Sequence, residues 1–570
     1  MNNPQPRPYD SAPRYPAVGG AVESGWTAIA DALPATPAIL AIDGPAILDW
    51  AALLRALGDA LDQRGIPVTG LDIGEHMAPW QDVVRHTSSS ALTDDPDFEK
   101  LADGSLRGLF AALPRVERPA HGITVVHGPG ASLVPHDLLW YADLPKRYAE
   151  AAVAAGRGRN LGQRDGDGPA TTKRLFYIDW PLLDRHRETL LDRVDRWLDC
   201  RDLTAPASLD GVVLRRTTEA LAARPFRTRP TFNTTPWGGH WGQRELGFNP
   251  DAPNTALGYE LIAPESGVLL GDEHGDIEFP FQSIVSRHPA EIMGPRVHEE
   301  FGTSFPIRFD YLDTVGGGNL SVHCHPQDDY MREVFGWPYT QHETYYMMVA
   351  GEGGEVFLGL RDDADVDAFS EHAHQAHHHE ESFAVEKYVQ TFPAEPHQLY
   401  VIPAGTPHAS GEGNVVLEVS ATPYLYSLRF YDWLRRDKAG RQRPVHLGHA
   451  FRNLGTQRTG EAVRDELVPA PVPLREGPGW REETLGTLPE MFFEVRRICM
   501  DGDRPAHDDT EGRFHILNVV EGTGVHLTTA LGHEHTLAYA ETLVVPASVG
   551  AYELRPMGTG PVRVVKSLVR

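Results

Sequence analysis

Residues 319–331 read NLSVHCHPQDDYM. In an extended strand, side chains two positions apart share a face, so His323 and His325 point the same way and Cys324 points into the opposite packing layer. Eighteen residues after His325, the run QHETYYMMV at 341–349 opens another strand-like segment with Glu343. Further on, LYVIPAGTPHAS at 399–410 leaves a strand through a Pro-Ala-Gly-Thr-Pro turn and then places His408. In a small β-barrel, inward positions of neighbouring strands converge on one cavity. Three imidazoles and a carboxylate suit Zn²⁺, Fe²⁺, Mn²⁺, Co²⁺ or Ni²⁺. One carboxylate cancels half the charge of such an ion, so an oxygen bound beside it stays polarised.

Around these motifs, short strand-like runs recur between Gly, Pro and Asp turns, at 267–270, 304–311, 319–323, 344–350, 355–358, 398–402 and 415–419. Regular short strands of this kind predict an antiparallel sandwich or small barrel over 225–445, interrupted by a helical insertion at 362–389. A Pro-rich linker at 468–473 leads into more strand-like sequence, and 446–570 reads as a second β domain. There, His533 and His535 are again two apart, but no carboxylate and histidine follow at matching spacing, and VVPAS is followed by Val549. No metal is expected in it.

Toward the N-terminus the texture is α/β. Residues 1–35, rich in Pro, Gly and Ala, read as a disordered leader. The runs 38–42, 123–126 and 175–178 read as buried strands, and 46–61 and 181–198 as amphipathic helices, which predicts a mostly parallel sheet over 36–220. Asp43-Gly44-Pro45 stands where a phosphate-binding loop would follow the first strand. The GxxxxGK[ST] pattern is absent and no lysine follows. The segment resembles uridine-kinase-like P-loop domains in layout, as a degenerate copy without tight ATP binding.

Bulk composition narrows the partners. Lys and Arg number 52 against 79 Asp and Glu, a formal charge of −27. Without a basic excess to neutralise phosphates, nucleic acid and anionic membranes are excluded as partners. No run reaches the ~18 apolar residues of a membrane helix. Three distant cysteines give no disulfide framework, so a cytoplasmic protein is expected. Of the 27 histidines, the run His372, His374, His377, His378 and His379 reads as exposed helix rather than a second metal site.

The motifs together resemble one family. LSVHCHPQDD is similar to LSVQVHPDD of the class I mannose-6-phosphate isomerases, zinc-dependent cupins. HETYYMM resembles KTECWYI, IPAGTPHA resembles VPAGTVHA, and RFYDW resembles YRVYDY. TPWGGHW at 235–241 is similar to KPWGG, and FPIRFDYLD at 305–313 to FPLLVKFLD. FHILNVVEGTG and LVVPASVGAYEL weakly resemble that family's C-terminal cupin. The resemblance implies two mainly-β cupin (jelly-roll) domains after the P-loop-like α/β domain. It also implies one Zn²⁺ per chain, or another divalent transition ion, on His323, His325, Glu343 and His408. The family's active-site arginine falls on Arg429 and a strand carboxylate on Glu418.

Trp237, His342 and Lys387 are candidate substrate contacts. The implied reaction is aldose–ketose isomerisation of a sugar or sugar phosphate, by proton transfer between C1 and C2 through a cis-enediol. A homo-oligomer is compatible with it. Three departures stand out: His323 replaces a glutamine ligand, Thr235 replaces the lysine of KPWGG, and the family's Ser-Asp pair is missing from EVSATPYLYSLR at 418–429. The residues alone also admit a metal-dependent cupin dioxygenase or a non-catalytic sugar-sensing cupin.

Overall fold

The computed structural model describes residues 8–35, 37–423, 425–437 and 439–570. Five parallel strands run side by side from one edge of the seven-stranded N-terminal sheet, in the order Val68–Asp72, Ile123–His127, Ala38–Asp43, Leu138–Asp143 and Arg196–Asp199. All six residues of Ala38–Asp43 are buried, as a parallel strand covered by helices on both faces requires. Trp50–Asp62 supplies one such cover. Asp49 caps it by accepting from the Ala52 N–H, and Leu53, Leu57, Ala60 and Leu61 make its buried stripe.

Three expectations for this region are corrected. The run 175–178 is helical, lying in a π turn (Leu175–Asp179) that runs into the helix Trp180–Glu188. Four apolar residues in a row do not separate a strand from a buried helical turn, and the Thr171 cap just upstream decides it. The helix expected over 181–198 stops at Glu188; after a turn, Arg196–Asp199 becomes a strand with all four residues buried. Residues 8–35 are folded rather than disordered. Arg14–Tyr15 pairs in parallel with Leu269 and Leu270, the Tyr15 hydroxyl accepts from the Arg227 N–H at 2.6 Å, and Trp26–Asp31 buries Ile29 and Ala30. Its few large apolar side chains are enough to anchor it. Residues 1–7 of that leader lie outside the described residues.

Two antiparallel sheets follow. The first has the order Leu399–Ile402, Glu343–Val349, Val415–Ala421, Ile307–Asp313, Leu257–Leu261 and Thr231–Asn233. The second runs Val389–Pro393, Glu355–Leu360, His408–Ser410, Val322–Cys324 and Leu428–Tyr431. The insertion contains the helix Val366–His379, capped by Asp365, and the His-rich run lies on it. Two further sheets of six and four strands complete the chain. The Pro-rich stretch already begins a strand there, Val472–Gly477, at the edge of its sheet where Pro473 is tolerated. Multidomain, mostly-β architecture is thus observed. The Asn518 amide donates to the Tyr311 hydroxyl at 2.7 Å, which donates to the Ala540 carbonyl at 2.8 Å, tying the two β units together.

The loop after Ala38–Asp43 already contains an anion. The buried Asp43 carboxylate accepts from the N–H groups of Gly44 (2.9 Å), Gly130 (3.0 Å) and Ser132 (2.9 Å). It also accepts from Ser132 Oγ at 2.6 Å and contacts His186 Nε2 at 2.9 Å. Burial opposes its ionisation, but His186 and Ser132 outweigh it and hold Asp43 below the usual carboxylate range. Asp43→Ala would orphan three backbone donors, at roughly 1–3 kcal/mol each. Calorimetry should therefore find the α/β region's unfolding transition lowered by at least about 3 kcal/mol. Because the folded pKa is depressed, the contribution is present above the unfolded value near ~3.9 and is lost as pH falls through the folded one. A variant melting like the parent at pH 7 would contradict this.

Candidate metal centre

Cross-strand register assembles the centre. In an antiparallel pair, directly opposed residues face the same side. His323 is opposed on one side by His408 and on the other by Arg429, so all three project together. In the facing sheet, Glu343 is opposed by Ser420, which opposes Arg308. One row along, Tyr345, Glu418 and Asp310 stand side by side. The two sheets aim these rows at each other across a cavity of about 280 Å³.

His323, His325, Glu343 and His408 are all buried, with one candidate ligand atom from each lying within 4.8 Å of the others. The backbone fixes the tautomers. His323 Nδ1 lies 2.8 Å from the Ser321 carbonyl and His408 Nδ1 lies 2.8 Å from that of Thr406. His325 Nδ1 makes a longer approach, 3.3 Å, to the Tyr426 carbonyl. A carbonyl only accepts, so each Nδ1 carries the hydrogen and each Nε2 presents its lone pair. Burial, followed by the neighbouring His408 and His325, pushes His323 well below its ordinary pKa. Burial also lowers His325 despite Glu343. Both are therefore neutral, as metal ligands must be.

The four side chains fit a divalent ion. His325 Nε2 and His408 Nε2 lie 2.9 and 2.8 Å from the same Glu343 oxygen, Oε2. His408 Nε2 is buried without a hydrogen-bond partner. Lone pairs converging on a carboxylate repel, and a cation among them reverses the sign. A carbonyl behind each imidazole is also the arrangement that orients metal-bound histidines.

Beside this group, Arg308 contacts Glu418 and lies 3.5 Å from Asp310 and 3.7 Å from Glu343. Burial raises Glu418 well above the carboxylate range, and Asp310 and Glu343 add to this against Arg308. Burial lifts Asp310 to about 6. Arg429 is half-buried and lines the same cavity; its guanidinium donates to the Pro444 carbonyl at 3.2 Å. Asp432, the obvious carboxylate for it in RFYDW, is taken by Arg443 at 2.9 Å and Arg435 at 3.3 Å.

Of the sequence candidates, the four ligands, Glu418, Arg429 and Trp237 come together; all but His408 line the cavity itself. His342 does not line it. Next to Glu343 in the strand, its side chain falls on the opposite face, where Nδ1 accepts from the Ala404 N–H at 3.2 Å. Lys387 is exposed, on the short helix Val385–Lys387, and does not line the cavity either. Cys324 turns away as expected and is fully buried, its Sγ 3.8 Å from the Ala450 carbonyl. Arg308, Asp310 and Tyr345 were missed. For Arg308 and Asp310 the signal was present in FPIRFDYLD, where the two charges alternate with apolar residues along a strand that is buried throughout and ends at Asp313.

Comparisons with known proteins divide the chain. Residues 25–223 match a family described only as a domain of unknown function (DUF8485). A mannose-6-phosphate isomerase from Streptococcus mutans is 22% identical over 346 residues, covering 58% of this chain and 95% of that protein. The mannose-6-phosphate isomerase ManA of Bacillus subtilis is 25% identical over 347 residues, covering 59% and 96%. The chain is related to the mannose-6-phosphate isomerases. The crystal structure of the Bacillus subtilis mannose 6-phosphate isomerase superposes with a TM-score of 0.49 at 20% identity, over 60% of this chain and 99% of that one. A zinc-bound mannose 6-phosphate isomerase superposes with a TM-score of 0.47 at 15% identity, over 61% and 100%.

Purified protein should carry about one divalent transition ion per chain by elemental analysis, and His408→Ala should lose it on dialysis. A ligand at 100 times its Kd stabilises the folded state by about 2.7 kcal/mol. A chelator should therefore lower the melting temperature of the parent and leave that of His408→Ala nearly unchanged. Equal metal content in both proteins would remove His408 from the centre.

Proposed function

We propose that this chain is a metal-dependent aldose–ketose isomerase of the mannose-6-phosphate isomerase type. It moves a proton between C1 and C2 of a sugar or sugar phosphate through a cis-enediol. The observation that carries the proposal is the grouping of three imidazoles and the Glu343 carboxylate, with ligand atoms within 4.8 Å of one another, beside a cavity lined by Glu418 and Arg429. Relatedness to the two isomerases above supports it.

His323, His325, Glu343 and His408 would hold the ion, zinc in our reading. When bound, zinc supplies Lewis acidity that stabilises negative charge on substrate oxygens as the C–H proton leaves. The remaining roles fall to the chain. Glu418 is our candidate for the base that takes the proton from one carbon and returns it to the next. Burial, against Arg308, raises its pKa above the usual carboxylate range, which makes it a stronger base than an ordinary carboxylate. Arg308 and the Ser420 hydroxyl, 2.8 Å from Glu418, fix the carboxylate in place. Arg429, always charged, can bind developing enediolate charge with its planar fork. Trp237 forms part of the wall.

We read residues 36–220 as a degenerate P-loop kinase-like domain that does not bind nucleotide tightly. The parallel sheet supports the layout, and the missing lysine together with Asp43 accepting from the Gly44 N–H supports the loss of phosphate binding. Residues 225–445 then form the metal-binding cupin with its insertion at 362–389, and 446–570 a second cupin-like domain without metal. Inside that last unit the buried Lys566 ammonium contacts Glu482 at 2.5 Å and Asp508 at 2.6 Å, a built-in cation where an ion would otherwise be needed.

A coupled isomerase assay tests the reaction, and absence of turnover with any aldose or its phosphate in metal-loaded protein would refute it. Arg429→Ala should lower kcat roughly 10²–10³-fold with metal content and melting temperature unchanged. A rise in KM alone would instead make it a ground-state binding group. Glu418→Gln should cost roughly 10²–10⁴-fold. In the parent, kcat/KM should rise with pH through the elevated Glu418 pKa, because the ionised form is the base. Loss of that limb in Glu418→Gln checks the assignment; an unchanged profile contradicts it.

A further inference from the structure

We infer that this site is built for an unphosphorylated sugar, an open-chain aldose or ketose recognised through its hydroxyls; the inference rests on the isomerase reading above. Its first support is the charge inventory of the cavity. Three cations line it: Arg308, Arg429 and Arg443. Arg308 is engaged by Glu418, Asp310 and Glu343, and Arg443 by Asp432. Arg429 alone of the three has no carboxylate within ion-pair distance among the described residues. Facing it are the carboxylates of Asp310, Glu343 and Glu418. With Arg308 and Arg443 already committed to carboxylates, a phosphate dianion would find one uncommitted guanidinium there, and burying charge without matching partners is unfavourable.

Second, two positions of the wall have changed charge relative to the motifs quoted above. Thr235 stands at the lysine of KPWGG, and Asp310 at the lysine of FPLLVKFLD, and both line the cavity. Two positive charges are absent and one negative charge is added, all on the surface that meets the ligand.

Third, the polar atoms left without partners are those a polyol satisfies. Thr235 Oγ1, Asp310 Oδ1 and Tyr345 Oη are buried and have no hydrogen-bond partner. Asp310 Oδ1 has the Arg308 Nε at 3.5 Å, too far for a hydrogen bond, and can still take a donor. A sugar hydroxyl donates and accepts, whereas a phosphate dianion only accepts and leaves that oxygen unsatisfied. Asp310 therefore acts as a specificity-determining residue, selecting for a hydroxyl where a phosphoryl oxygen would be repelled.

The test uses the full-length, metal-loaded protein with mannose, glucose and fructose and the 6-phosphate of each. Turnover of the free sugars with kcat/KM at least 10-fold above their phosphates is expected; preference for the phosphates overturns the inference and leaves the isomerase reading intact. Binding is measured separately with mannitol and mannitol 1-phosphate, which cannot isomerise. Protection from thermal unfolding by mannitol and not by its phosphate supports the substrate class even in a protein that turns nothing over, an outcome that would sink the isomerase reading instead. The reverse order of protection overturns the inference. Asp310→Asn, which keeps shape and removes charge, should raise KM for the free sugar and cut the discrimination against phosphate at least 10-fold, with metal content unchanged. Unaltered discrimination in that variant would show that Asp310 does not select.

Discussion

The pairing of His408, His323 and Arg429 across three short strands is the constraint on which the rest of the site depends. A strand alternates faces with a period of two, so a slip of one residue in any of the three would send its side chain to the outer layer. Register also explains the economy of the centre. Two strands of one sheet bring the three imidazoles, one strand of the other brings the carboxylate, and the distance between sheets does the rest. The carbonyls of Ser321 and Thr406, each two residues before its histidine, then lock the rings. Ring orientation and tautomer are thus settled by backbone that the sheets already hold in place.

A second consequence concerns charge. The cavity concentrates Arg308, Asp310, Glu343 and Glu418 in one buried row and its neighbour, with little solvent to screen them. Each group's protonation is set by the others, so the chemistry belongs to the row rather than to a single residue. Arg308 is central to it, because removing its charge would leave three carboxylates facing one another. In the α/β region the same logic is used to opposite effect. There Asp43 is satisfied by the N–H groups of Gly44, Gly130 and Ser132, so a buried carboxylate ties two loops together rather than lining a cavity.

Much of the centre was legible in the sequence because its information is local. The two-residue spacing of His323 and His325, the strand opening at Glu343 and the turn before His408 each state a facing direction without knowledge of the fold. The strands of both β units read similarly from their alternation and turns. What was hidden depends on long-range packing. His342 was a candidate by proximity, yet its parity with Glu343 sends it away from the cavity. Lys387 could be placed near substrate only by knowing where the insertion docks. Arg308 and Asp310 become site residues only once Ile307–Asp313 is seen beside Val415–Ala421. In the α/β region, apolar runs did not distinguish the helical turn at 175–178 from a strand, and low apolar content in residues 8–35 masked the contacts of Tyr15 and Ile29.

The central claim is that one ion is held by three imidazoles through Nε2 and one carboxylate. X-ray absorption at the edge of the bound metal tests it most directly. The account predicts a first shell of nitrogen and oxygen at roughly 2.0–2.1 Å for zinc, with the outer-shell scattering of about three imidazoles. A sulfur shell near ~2.3 Å, or an oxygen shell without imidazole scattering, would contradict it.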